Sequence, residues 1–96
     1  MVFLVVGSCR LTLRLHQARS LKDKRREVKS LVDRLRRKFN VSVAEVGNPE
    51  MYREVVLGVS CVANQHRQVR LVLDTVAQWV EGHCAGDLLA SEFELF

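Results

Sequence analysis

The stretch that decides the fold is Arg19-Ser-Leu-Lys-Asp-Lys-Arg-Arg-Glu-Val-Lys-Ser-Leu-Val-Asp-Arg-Leu-Arg-Arg-Lys38. Its apolar residues Leu21, Val28, Leu31, Val32 and Leu35, continued by Phe39, recur at helical spacing. At ~100° per residue they fall in one stripe roughly 100° wide, the face that an amphipathic helix turns to a core. Ser20 stands in front as N-cap, and Asp23 three residues on is an acidic variant of the capping box. Ten of the fifteen Lys and Arg of the 96-residue chain lie in this stretch, against the three acids Asp23, Glu27 and Asp33, so it carries 10 − 3 = +7. The remaining five basic and eight acidic residues sum to −3, which gives the overall +4. The charge is also sided. Lys22, Arg25, Lys29 and Arg36 run along one flank with Arg26 and Arg37 just behind, while Asp23, Glu27, Arg34 and Lys38 mix on the other.

Upstream, the odd positions from Phe3 to Leu15 read Phe3, Val5, Gly7, Cys9, Leu11, Leu13 and Leu15. This alternation predicts a long strand from Val2 to Leu15 with the odd set facing the core. The even positions Val2, Leu4 and Val6 are apolar as well, so the first half of that strand requires cover on both sides. Arg10 and Arg14 end the even face as an ordinary solvated edge.

Downstream, Phe39-Asn40 closes the helix and Val41–Val46 reads as a short strand. Gly47–Glu50 is a loop, since Pro49 restricts Asn48 and supplies no amide. Tyr52–Ala63 is the third strand, with Val55, Leu57, Val59 and Cys61 on one face. Asn64 caps a second helix whose stripe is Val69, Val72, Leu73, Val76 and Val80, with Trp79 on its flank and Leu71 opposite. Gly82–Asp87 breaks that helix, and Leu88–Phe96 forms the last strand. The order βαββαβ predicts a single α+β domain over 1–96 of ferredoxin-like form, a four-stranded antiparallel sheet with both helices on one face. Right-handed crossovers put the first and third strands at its centre.

Composition narrows the function classes. An apolar fraction of 48% with 27% charged residues is that of a folded globular domain. The longest apolar run, Val2–Val6, is far below the ~20 residues of a membrane span and lacks the flanks of a signal peptide, so a cytoplasmic protein is expected. Cys9, Cys61 and Cys84 are too few and too widely spaced for a disulfide scaffold, and reduced thiols are expected. Cys84 beside His83 lacks the ligand set of a zinc site, so neither metal nor cofactor is expected. Arg10, Arg14 and Asn40 supply the residue types of an acylphosphatase, but no glycine-rich phosphate loop follows the first strand. No catalytic residue is assigned.

The run Ala18–Val46, together with Leu57-Gly58-Val59 and the acidic-hydrophobic last strand, resembles the YlxP-like family of small bacterial proteins. That resemblance implies a ferredoxin-like fold and a genomic setting beside genes for transcription elongation, translation initiation and ribosome maturation factors. It implies no activity and supplies no site residues.

A positive helix on a slightly acidic remainder predicts a polyanionic partner. The expectation is a non-catalytic protein that binds RNA or a ribonucleoprotein through Lys22, Arg25, Arg26, Lys29, Arg36 and Arg37. The alternative is a factor that binds an acidic protein surface. The sheet offers no aromatic pair for base stacking, so the helix is where contact is expected. The aliphatics of the open sheet face further suggest a homodimer formed through it.

Overall fold

A computed structural model describes residues 2–96. Its elements are β1 (Val5–Leu15), α1 (Leu21–Lys38), β2 (Ser42–Glu45), β3 (Glu54–Ala63), α2 (His66–His83) and β4 (Gly86–Leu95). The sheet order is β2-β3-β1-β4 with every pairing antiparallel. This is the ferredoxin-like α+β arrangement, with β1 and β3 central as the crossover rule requires.

The odd residues of β1 and of β3 from Val55 to Cys61 point into the core, joined by Leu31, Val32 and Leu35 of α1 and by Val69, Leu73, Val76, Ala77 and Val80 of α2. Gly7 marks the closest approach of a helix to the sheet. A Cβ there would fall on Val69 Cγ1, with Leu73 Cδ1 and Leu95 Cδ2 each 3.0 Å away. Its side-chain-free surface lets α2 settle onto β1, and its φ is not in the left-handed region.

The caps follow from local chemistry. Ser20 Oγ accepts from the Asp23 amide at 3.1 Å, while the Asp23 carboxylate accepts from the amide of Arg19, one residue before the expected partner. Both bonds consume amides at the helix start and place Asp23 at its positive end. α2 starts one residue later than the sequence suggests. Gln65, rather than Asn64, is the N-cap and makes no side-chain cap bond. The helix runs on to His83, and Gly86 and Asp87 already pair with Leu15 and Arg14, so the expected breaker contains the start of β4. β4 carries a bulge at Leu89, which has no partner between the Thr12–Ala90 and Leu13–Leu88 pairs.

The main departure lies at the front of the chain. Val2–Leu4 are not part of β1, and Phe3, expected in the core, is 61% exposed. At Val5 the ladder to β3 ends against Ala63, and the last link to the other side is the reciprocal Val6–Phe96 backbone pair. Among the described residues, no strand lies beside the segment that the alternation extends into. Similarly, Tyr52 and Arg53 precede β3, although the Arg53 carbonyl still accepts from the Leu15 amide at 2.7 Å.

Candidate nucleic-acid interface

α1 is fixed over the β2 side of the sheet by its apolar stripe and by one residue of opposite character. Lys24 sits one turn before Val28 in the core register and is only 1% exposed. Its ammonium lies 2.7 Å from Glu45 Oε2 of β2 and donates to the carbonyls of Asn48 at 3.0 Å and Met51 at 2.6 Å. Glu45 Oε2 is itself buried without a hydrogen bond in good geometry, so the ammonium is its compensation. Lys24 therefore clamps α1 to β2 and to the loop before β3. Sequence reasoning left it among the helix charges. The signal that marks it is its place in the stripe, four residues before Val28 and seven before Leu31.

With that clamp set, the six expected contact residues are all exposed. They fall into two rows rather than one patch. Arg25, Lys29 and Arg36 face β2 across an open groove of about 350 Å³ that also takes in Asp33, Ala44 and Glu45. Lys22, Arg26 and Arg37 run along the outer side of the helix. From Lys22 to Arg37 is fifteen residues, ~22 Å of helix.

The six are not equally available. Arg36 Nη2 donates to the Val43 carbonyl at 2.8 Å and so covers part of the β2 edge. Lys29 pairs with Asp33 at 2.9 Å, one turn along the helix. The hydrogen bond from Lys29 holds the Asp33 carboxyl below its ordinary value, aided by the charges of Lys29, Arg37 and Arg36. Among the described residues, Lys22, Arg25, Arg26 and Arg37 have no ion-pair partner within 4.0 Å. Arg26 also borders a second cavity, of about 590 Å³, with His16, Gln17, Asp23, Glu27 and Cys84. There His16 Nε2 lies 2.9 Å from Asp87, and no group of three or more His, Cys, Asp or Glu among the described residues could hold a metal.

The remaining surfaces are less cationic. Across the centre of the open sheet face the cross-strand rows are Ser42, Ser60, Ser8, Glu94 and Ala44, Gly58, Arg10, Glu92. Arg10 is paired with Glu92 at 2.7 Å. This centre is small and polar, and the aliphatics of the face lie away from it, Val6 beside Val62 at one end and Val56 beside Thr12 at the other. On α2, Trp79 is half-buried between helices. Phe39 meets it edge-on at 6.3 Å, His83 stacks on it at 4.4 Å and the Arg34 guanidinium lies 5.5 Å from its centre. It completes the core edge, while Leu71 is left exposed.

Fold and surface define a small ferredoxin-like α+β domain whose most cationic element is its first helix. Within that class the chain belongs to the family described as "Protein of unknown function (DUF503)", which matches residues 6–93. It is similar to the uncharacterised protein YlxP of Bacillus subtilis (strain 168), with 27% identity over 77 residues, 80% of this chain and 84% of that one. Among solved structures it resembles the de novo designed protein Foldit4, at a TM-score of 0.50 and 17% identity over 97% of this chain and 93% of that one. A second designed protein, Ferredog-Diesel, aligns at 0.45 with 16% identity over 95% and 83% of the two chains. The likeness to Foldit4 shows the fold alone.

Proposed function

We propose that this protein is a non-catalytic RNA- or ribonucleoprotein-binding factor that meets phosphates through the outer and β2-facing rows of α1. The observation that carries the reading is the run of exposed cations Lys22, Arg25, Arg26 and Arg37 along one helix, none with an ion-pair partner within 4.0 Å among the described residues. One acid, Asp33, lies among these cations and is taken up by Lys29, whereas the other flank carries both Asp23 and Glu27, so this surface keeps a net positive charge. Phosphate contacts of this kind position a nucleic acid and do not read its sequence. The resemblance to the YlxP-like family favours a setting in translation or ribosome maturation.

Crosslinking in cells, followed by recovery of the bound RNA and protein, tests the reading. Recovery of RNA with the wild-type chain and its loss with Arg25→Glu/Arg37→Glu is the expected result. Recovery of one acidic protein without RNA would replace it with the protein-binding alternative.

A further inference from the structure

We propose that the segment before β1 is the core of a homodimer interface, in which Val2–Leu4 of two copies pair as antiparallel strands about a two-fold axis. Val2 is 94% exposed, Phe3 61%, Leu4 71%, Val62 65%, Leu95 39% and Phe96 67%. They gather at one end of the sheet, because Val62 and Phe96 flank Val6 on either side and Leu95 pairs with Gly7.

With whole-residue areas of roughly 150 to 250 Å², these six expose on the order of 700 Å². Spread over both faces of that end of the sheet, this exposure approaches the ~800 Å² per partner of a standard interface.

The kind of partner follows from what the segment lacks. It runs past the ends of both neighbouring strands, so its backbone has no ladder. Its two faces are both apolar, Val2 and Leu4 on one and Phe3 and Val5 on the other. The occupant must therefore bring a strand as well as apolar cover on both sides. Val2-Phe3-Leu4 laid antiparallel on its own copy, with Phe3 opposite Phe3 and Val2 opposite Leu4, meets both demands. Every cross-strand pair is then apolar and no charge is buried.

The other surfaces do not compete. The centre of the open face is Ser, Gly and the Arg10–Glu92 pair, the β2 edge is partly closed by Arg36, and the β4 edge carries Asp87, Glu92 and Glu94, which would repel a second β4. The expected dimer thus moves from the open face to its end.

Sedimentation equilibrium of the full chain tests this, with Leu4→Asp and Val62→Asp as variants at sites already exposed in one copy. The expected result is a mass twice the 11.0 kDa of one chain, reduced to one chain in both variants with an unchanged circular dichroism spectrum. Ala44→Asp, at the centre of the open face, should remain dimeric. A wild-type monomer up to millimolar concentration would overturn the proposal and leave the patch to another apolar partner. So would a dimer that survives both variants, or one lost only in Ala44→Asp.

Discussion

Lys24→Met removes the buried ammonium while keeping most of the side-chain volume, and its consequence can be worked from the contacts. The ammonium has three oxygen partners, Glu45 Oε2 and the carbonyls of Asn48 and Met51. Deleting one partner of a buried pair costs ~3–5 kcal/mol, because the other charge stays behind without compensation. Glu45 retains 24% of its side-chain exposure, so water recovers part of that loss. The expected cost is about 3 kcal/mol, the lower end of that range. For a domain of this length it lowers Tm by roughly 12–24 °C. Urea unfolding followed by circular dichroism reads the change as a lower midpoint at unchanged slope. Lys24→Met/Glu45→Leu should then recover most of the loss, since an apolar pair of similar volume commonly matches a buried ion pair. A single variant within ~0.5 kcal/mol of wild type, or a double variant no more stable than the single, would refute the clamp.

Other expectations follow from the same contacts. Gly7→Ala should destabilise by about 1–3 kcal/mol, because the new methyl falls on Val69 Cγ1 and α2 must lift from β1; thermal melting checks it. Asp33→Asn should strengthen polyanion binding measured by fluorescence anisotropy, since it frees Lys29 and removes the acid of the β2-facing groove. The Asp33–Lys29 pair also has a definite pH dependence. The Asp33 pKa lies below its ordinary 3.8, so its contribution is complete above that value and is lost as pH falls through the lowered one. In an acid titration the stability difference between wild type and Asp33→Asn should be full at neutral pH and shrink away only at the acidic end. Among the cysteines, half-buried Cys84 should react first with a thiol reagent. Cys9, its thiol pushed up to about 11 by burial with Cys61 close by, should react only on unfolding.

Much of the architecture is written locally. The alternation from Val5 to Leu15, the stripe from Val28 to Leu35 and Ser20 as cap each act within a few residues, so one strand and one helix can be read without knowing their neighbours. What failed depended on neighbours. Val2–Leu4 continue the pattern of β1, yet a strand exists only where another strand pairs with it, and none among the described residues reaches them. Gly86 and Asp87 look like a break but belong to β4, because Leu15 and Arg14 extend far enough to pair with them. The cationic surface was visible as a count and a flank. Its division into free and engaged charges was not, because Arg36 is held by a carbonyl of β2 and Lys29 by Asp33. Lys24 was the hardest residue to read. A lysine in a basic run looks solvated until β2 brings Glu45 beside it.

The most direct test of the phosphate-binding role of α1 is the salt dependence of binding to single-stranded and duplex RNA. With about four phosphates met, the slope of log K against log salt should lie near −3 to −4. Arg25→Glu/Arg37→Glu should weaken binding to all sequences alike and flatten that slope by about 2. A slope indistinguishable from zero, or a variant that binds as the wild type does, would contradict it.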